Sequence, residues 1–165
     1  IGDVVVNGAA HRDVWTIPEA RYKTKRTHVV PLSKAAKELI EAQPIVKTER
    51  GDSDLVFTLN GDNPVSNISR CKAKFDKAML KCLGAKEMPN WTLHDLRRTA
   101  KTLMQRAGVR PDISERVLGH VIEGVEGTYD RYDYLREKRE ALEALAGLVD
   151  LIVTNNVADA VSLRA

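Results

Sequence analysis

The spacing of apolar and polar residues divides the chain into a short extended part near the N-terminus and a longer helical part. Residues 13–17 and 27–32 are rich in β-branched or aromatic side chains, which predicts two short β-strands. The polar, basic stretch 21–26 between them predicts the tip of a hairpin. Residues 55–59 predict a strand or an extended segment, and a turn follows at 61–64. These elements indicate a small antiparallel sheet.

Elsewhere, apolar residues recur at three- and four-residue steps, as on one face of a helix. Ser33 is the predicted N-cap of a first helix, which ends at Gln43-Pro44. A second, amphipathic helix is predicted for residues 66–83, with Gly84 as its C-terminal cap.

Three more helices are predicted in the second half of the chain. One follows Thr92, its predicted N-cap, and ends at Gly108. A short helix covers 111–118. After a loop at 121–127, Thr128 leads into a long charged helix that continues to about Leu148. The predicted fold class is therefore α+β and predominantly helical.

Charge is unevenly distributed along the chain. Residues 66–110 contain eleven Lys and Arg but three Asp and Glu, a balance of +8. Residues 111–150 contain five basic and ten acidic residues, a balance of −5. This polarity is typical of a protein with one side facing a polyanion, although a solvated helix face would give the same pattern.

Composition excludes several classes of protein. The 165 residues suit one domain, and 43% hydrophobic residues with a mean hydropathy of −0.31 suit a water-soluble globule. No apolar run approaches the ~20 residues of a membrane helix. Cys71 and Cys82 do not suggest a disulfide framework, and no zinc-type spacing occurs, so we expect a reducing, cytosolic location and no bound metal.

Two short clusters carry residue types that suit chemistry on a phosphate. His94 and Arg97 share the first turn of a predicted helix, where free N–H groups favour an anion, and Arg98 points about 100° away. Gly119 breaks the short helix just before His120, and a tyrosine follows nine residues later. Each cluster alone is more typical of ordinary surface or loop residues.

Taken together and in order, these motifs resemble the catalytic domain of tyrosine recombinases, the phage-integrase family. The resemblance covers roughly residues 13–145, and the stretch 129–142 is similar to integrases of prophages and genomic islands. The motifs are the hairpin sequence WTIPEARYKTKRTHVVPLS at 15–33, WTLHDLRRT at 91–99, VLGH at 117–120 and TY at 128–129.

The resemblance implies a site-specific DNA recombinase that cuts and rejoins DNA through a 3′-phosphotyrosyl intermediate, without a cofactor or a metal. It implies the catalytic residues Tyr129 (nucleophile), Arg97 (second catalytic arginine), His94, His120 and Lys23, the hairpin lysine. Lys25 is the alternative to Lys23, and Tyr132 and Tyr134 are rival nucleophiles. The predicted DNA-contacting residues are Lys25, Arg26, Arg98, Lys72, Lys74 and Lys77.

The same resemblance implies an organisation and a set of partners. We expect a catalytic domain at residues 1–150 and a C-terminal tail at 151–165 that docks onto a neighbouring subunit, with Leu148 to Val153 as a candidate docking segment. The expected partners are double-stranded DNA at attachment sites and further copies of the chain, as a tetramer on DNA, with no membrane. The expected location is the cytoplasm of a bacterium, at the nucleoid, as a bacterial or phage-encoded protein.

One family feature is missing from the sequence. The first catalytic arginine of the family normally lies upstream of the hairpin in a Leu-Arg-x-x-Glu-like context, and no such motif occurs here. We expect the chain to start downstream of that arginine, without the N-terminal DNA-gripping domain. This departure supports one alternative, a non-catalytic DNA-binding remnant or fragment. A type IB topoisomerase, which uses similar chemistry, is another alternative with less support.

Overall fold

The computed structural model describes residues 2–6, 9–120 and 132–154, and all structural statements refer to these residues. They form two compact units. Unit 1 combines the N-terminal part up to Glu38 with the chain from Leu93 onward, and unit 2 is Leu39–Thr92. The described secondary structure mixes five α-helices with two small antiparallel sheets, so the predicted α+β class is confirmed.

Unit 1 opens with a three-stranded antiparallel sheet of β1 (Gly2–Val6), β2 (Ala9–Ile17) and β3 (His28–Pro31), in that order. The β2–β3 register pairs Val14 with Pro31 and Ile17 with His28, which confirms the predicted hairpin. A 3₁₀ turn, Glu19–Arg21, lies between the two strands. The sequence prediction omitted β1.

The first helix, α1 (Lys34–Glu41), begins where the sequence predicted. The Ser33 hydroxyl accepts the Ala36 N–H at 3.3 Å, and the Ser33 carbonyl accepts the Lys37 N–H at 2.9 Å. A serine side chain in this position satisfies one of the free N–H groups of the first turn. The predicted N-cap is therefore confirmed.

The core of unit 1 lies among its three other helices: α3 (Leu93–Arg106), α4 (Pro111–Val117) and α5 (Leu135–Val153). One side chain or more from each helix is almost fully buried there. The cluster consists of Met104, Ile113, Val117 and Ala141. Gly108 ends α3 with a φ of 78°, and Pro111 occupies the first turn of α4, both of which agree with the sequence prediction.

Polar side chains of α5 attach this helix to the sheet. The buried Lys138 Nζ donates to the Val29 carbonyl at 2.9 Å, and Arg139 donates to the Leu32 carbonyl at 3.3 Å. Burial lowers the pKa of Lys138 to about 8. Glu143 accepts the backbone N–H of Lys34 at 2.9 Å. These contacts hold β3 and the start of α1 against α5.

Unit 2 contains α2 (Ile68–Leu83) and the short antiparallel pair β4 (Lys47–Thr48) and β5 (Gly51–Asp52). Gly84 ends α2 in the left-handed conformation, with a φ of 62°, as predicted. No side chain of α2 is fully buried, and the pair β4–β5 was not predicted.

The structure contradicts one predicted element and interrupts another. Residues 55–59 do not form a strand; Thr58 instead makes a single isolated bridge to Pro64, and its hydroxyl bonds to Gly61 N and Asn63 O at 2.9 and 2.6 Å. These side-chain bonds build a local turn that competes with strand pairing.

The last helix begins at Leu135, since Tyr134 has a φ of 54° and cannot continue a helix upstream. The predicted loop 121–127 and helix start at Thr128 lie outside the described residues.

Candidate active site

The turn that ends α4 brings several motifs of the sequence together. Three backbone bonds close it: Leu118 N–H to Ser114 O, Gly119 N–H to Arg116 O and His120 N–H to Glu115 O, at 3.1, 3.1 and 3.0 Å. Gly119 has a φ of 67°, the left-handed conformation that commonly ends a helix. The chain reverses here and presents the carbonyls of residues 117–119 to the rest of unit 1.

Three side chains from three different elements donate hydrogen bonds to these consecutive carbonyls. His28 Nε2 from β3 binds Val117 O at 3.3 Å. Arg97 Nη2 from α3 binds Leu118 O. Tyr22 Oη, just after the 3₁₀ turn, binds Gly119 O at 3.1 Å. The hairpin, the His-x-x-Arg helix and the Leu-Gly-His turn therefore meet at one place. We call this set of contacts the carbonyl clamp.

Tyr22 and His28 form one side of the carbonyl clamp. Their rings stack with centroids 5.0 Å apart and planes inclined by 13°. Burial, followed by the nearby Lys138 charge, lowers the pKa of His28, and the hydrogen bond to Val117 O opposes this shift. Because a carbonyl can only accept, the Nε2 of His28 carries the proton in this bond.

His120 is exposed, and a side chain of α4 holds its ring. Its Nδ1 pairs with one carboxylate oxygen of Glu115, while the other oxygen of Glu115 pairs with Lys101 of α3. Lys101, followed by His120, holds the pKa of the Glu115 carboxyl below its ordinary value. The carboxylate therefore stays ionised and accepts from both partners.

His94 lies in the first turn of α3, and Arg97 follows three residues later on the same face. His94 is exposed, and Arg97 is partly buried by its contact with the α4 turn. Arg98 points elsewhere and pairs with Asp95 at 3.1 Å, with 74% of its side chain exposed. The helix start thus presents one histidine and two arginines, of which Arg97 contacts the turn before His120.

The basic residues of the hairpin are exposed. Lys23 directly follows Tyr22, so its backbone lies beside the residue that reaches Gly119. Lys25 has a φ of 54°, and its N–H binds Tyr22 O at 3.0 Å. Arg26 is exposed as well. The clamp contact of Tyr22 therefore anchors the segment that contains both candidate lysines.

The three lysines predicted for α2 are in different environments. Lys72 is partly buried; its Nζ pairs with Asp76 at 2.7 Å and lies 4.2 Å from the centre of the Trp91 ring. Trp91 Nε1 also donates to Asp76 at 3.1 Å. Lys74 and Lys77 are exposed. Lys72 is thus engaged inside unit 2, whereas the other two face solvent.

Comparison with known proteins identifies the family of the chain. The model of the phage integrase family matches residues 7–136, which is most of the chain. The chain belongs to the phage integrase family. It is also similar to the prophage integrase IntA of Escherichia coli (strain K12), with 32% identity over 108 residues, which are 65% of this chain and 24% of that protein. The chain thus spans about a quarter of that integrase's length. No solved structure gives a significant match.

Of the three candidate nucleophiles of this phage integrase family member, two lie within the described residues. Tyr129, the predicted nucleophile, lies outside the described residues. The rings of Tyr132 and Tyr134 meet edge to face, 4.8 Å apart, and Tyr132 is 55% exposed. The Arg116 guanidinium lies 3.9 Å from the centre of the Tyr134 ring, so one face of that ring is occupied.

Two further findings concern ligands and membranes. Among the described residues of the integrase chain, no three His, Cys, Asp or Glu side chains are grouped in a way that could hold a metal ion. The described helices include none that is long and apolar enough to cross a bilayer.

The sequence analysis did not predict that Glu115, Lys101 and His28 contribute contacts to this site. Glu115 lies five residues before His120, a spacing that does not share a helix face, and only the left-handed Gly119 brings the two together. His28 lies within the hairpin motif, and no role is predicted for it. The sequence of β3 contains no local pattern that indicates a contact with a turn 89 residues away.

Proposed function

We propose that this chain is the catalytic part of a site-specific DNA recombinase. The hydroxyl of Tyr129 attacks a DNA phosphodiester, the bond to the 5′-oxygen breaks, and a 3′-phosphotyrosyl link forms. Attack by the 5′-hydroxyl of a second DNA end reverses these bonds and joins the strands, so the bond energy is retained throughout. The carbonyl clamp carries the proposal, because it joins three separated motifs of an integrase-family chain: side chains of the hairpin and of α3 bind backbone carbonyls of the Leu-Gly-His turn.

Arg97 suits the role of stabilising charge on the scissile phosphate. A guanidinium has five N–H donors in a fixed fork, and the bond to Leu118 O uses one nitrogen. The remaining donors stay available for two non-bridging oxygens, whose negative charge grows in the transition state. The clamp contact orients the guanidinium before DNA arrives, which reduces the cost of reorganisation.

His94 and His120 complete the proposed phosphate site. Both are exposed on unit 1, one at the start of α3 and the other directly after the turn that Arg97 contacts. An imidazole can donate to a phosphate oxygen or transfer a proton near neutral pH. We assign them hydrogen bonds to the phosphate and assistance in removing the proton of Tyr129.

Lys23 is the proposed acid for the departing 5′-oxygen. A lysine on a hairpin can approach the leaving group and supply the proton that the new 5′-hydroxyl needs. The anchoring of its neighbour Tyr22 at Gly119 supports Lys23 over Lys25, which lies two residues farther along the loop. Lys25 and Arg26 then contact flanking phosphates.

The assembly is part of the proposal. Residues 1–150 would form the catalytic domain, double-stranded DNA at attachment sites would be the substrate, and four copies would act together on two duplexes in the bacterial cytoplasm. The end of α5 supports docking in trans by 151–165, since Ile152 and Val153 are 38% and 72% exposed. Such apolar side chains on a helix end suit contact with a neighbouring subunit.

Covalent capture of DNA tests the proposal. The protein, expressed from its complete reading frame, is mixed with a nicked half-site labelled on the 3′-phosphate side, and the products are separated by denaturing electrophoresis. Tyr129→Phe removes one oxygen and should abolish the covalent band while DNA binding persists. Tyr132→Phe and Tyr134→Phe are matched controls that should keep the band.

The other outcomes are equally informative. A band that survives in Tyr129→Phe and disappears in Tyr132→Phe would identify a different nucleophile. A parent protein that binds DNA without any covalent band would indicate a DNA-binding module. Relaxation of supercoiled DNA without joining of two duplexes would indicate a topoisomerase.

A further inference from the structure

Glu115 contacts His120 in two ways. Its carbonyl accepts the His120 N–H at 3.0 Å, and its carboxylate faces the His120 Nδ1. The first bond is part of the turn that Gly119 creates, so it fixes the position of the His120 backbone. The second fixes the rotation of the imidazole. Both depend on the single residue Glu115.

Lys101 holds the carboxylate of Glu115 from the other side. The ammonium group of Lys101 binds one carboxylate oxygen, and the other carboxylate oxygen contacts His120. The Lys101 and Glu115 side chains are 38% and 27% exposed. Water therefore screens this ion pair less than it screens a fully exposed one. A carboxylate held in this way has little freedom to turn away from the ring.

This geometry determines which imidazole nitrogen carries the proton. An ionised carboxylate accepts hydrogen bonds and cannot donate them. The neutral His120 ring therefore keeps its proton on Nδ1, toward Glu115, and its Nε2 bears a free lone pair. A carboxylate that orients a catalytic histidine and sets its tautomer is an established arrangement in serine proteases.

We propose that Glu115 is a positioning residue for His120: with Lys101 behind it, Glu115 fixes the Nδ1–H tautomer and presents Nε2 to the scissile phosphate. The part that concerns DNA rests on the proposed recombinase function, whereas the tautomer of His120 does not. In that role Nε2 can accept the proton of the attacking tyrosine or, once protonated, donate to a phosphate oxygen.

The substitution Glu115→Gln tests the proposal with almost no change in shape. The ammonium of Lys101 will take the amide oxygen, so the amide NH₂ turns toward the His120 ring. Nδ1 must then accept, and the proton moves to Nε2. Lys101→Met in the Glu115→Gln background frees the amide to rotate, and part of the Nδ1–H population should return.

The measurement is ¹⁵N NMR of the imidazole nitrogens at a pH of about 8.5, where an ordinary histidine is neutral. His120→Asn assigns the signals of His120 among the four histidines of the chain. We expect Nδ1–H in the parent protein and Nε2–H in Glu115→Gln. Glu140→Gln, which removes the same charge at an exposed ion pair with Arg136, should leave the His120 signals unchanged.

An Nε2–H tautomer in the parent protein, or no change in Glu115→Gln, overturns the proposal. If Glu115→Gln fails to fold, the single variant Lys101→Met decides: the Nδ1–H tautomer should persist there, because the ionised Glu115 remains. In the covalent-capture assay, Glu115→Gln should slow the reaction by about 100-fold, the lower range for a positioned acid–base group. A correct tautomer in a parent protein that captures no DNA would reject the recombinase function alone.

Discussion

At the scale of single residues, the turn before His120 requires a glycine for two independent reasons. The φ of 67° at Gly119 is unfavourable for residues with a Cβ. A Cβ at this position would also lie 1.7 Å from Tyr22 Oη and 3.1 Å from His28 Nε2. The absence of a side chain therefore permits both the backbone conformation and the close approach of the carbonyl clamp. One residue connects the end of α4 to the hairpin.

Gly119→Ala should lower the free energy of unfolding by clearly more than the left-handed conformation alone costs, about 1–2 kcal/mol. Gly108→Ala is the matched control, because Gly108 has a similar φ of 78° but no atom within 4 Å of its added Cβ. Denaturant unfolding compares the two. Tyr22→Phe should partly rescue Gly119→Ala by removing the closest atom. Equal losses in both alanine variants would show that the clamp contact contributes little.

At the scale of elements, the sequence predicted features that are decided locally. Ser33, Gly84 and Gly108 end or begin helices through bonds to residues within a few positions, and all three were predicted. The sequence predicted one helix that runs through residues 132–134, because periodicity alone cannot show that Tyr134 takes the left-handed conformation or that Asp133 accepts the Leu135 N–H at 2.9 Å. Asn7-Gly8, a dipeptide typical of hairpin turns, indicates in the sequence that β1 pairs with β2.

The candidate site was only partly predictable, because it depends on contacts between residues that are far apart in the sequence. The resemblance to the integrase family implies that Arg97 and His120 share a site, and the structure places Arg97 in contact with Leu118 O, two residues before His120. The contacts of Tyr22 and His28 span 97 and 89 residues, and no local pattern specifies such distances. The roles of the predicted residues in catalysis stay predictions.

The lysines of α2 provide a prediction about one element. At about 100° per residue, four exposed cations of α2 fall within an arc of about 60°, with Lys72 on the opposite side. These four are Arg70, Lys74, Lys77 and Lys81. Lys72 is engaged by Asp76 and Trp91 instead. We therefore expect Lys74 and Lys77 to contact phosphates and Lys72 to stabilise unit 2.

Three single variants test this division on double-stranded DNA. Each phosphate contact that is lost reduces the slope of log affinity against log salt by about 0.9. Lys74→Gln and Lys77→Gln should each produce that change, whereas Lys72→Gln should keep the slope and lower thermal stability. Titrations between roughly 50 and 200 mM salt cover the range in which the effect is large. A slope that responds only to Lys72→Gln would contradict the assignment.

At the scale of the whole molecule, the two units differ in how much apolar surface they bury. All the fully buried apolar side chains among the described residues belong to unit 1, as in the cluster around Met104. In unit 2, Ile68 and Phe75 of α2 are each 54% exposed. Unit 2 contains the edge-to-face pair of Phe75 and Trp91, with centroids 6.3 Å apart, and the contact of Lys72 with the Trp91 ring. Such pairs contribute about 0.5–1.5 kcal/mol each.

This difference predicts that unit 2 opens separately and at lower free energy than unit 1. Regions with few buried apolar contacts exchange their amide hydrogens through local opening, whereas a packed core exchanges through global unfolding. In native-state hydrogen exchange, amides of α2 should therefore exchange faster than those of α3 and α5. Trp91→Leu removes the aromatic pair, the cation contact and the bond to Asp76, and should lower protection in α2 while leaving α5 unchanged. Equal protection of α2 and α5, lost together in Trp91→Leu, would mean that the two units unfold as one.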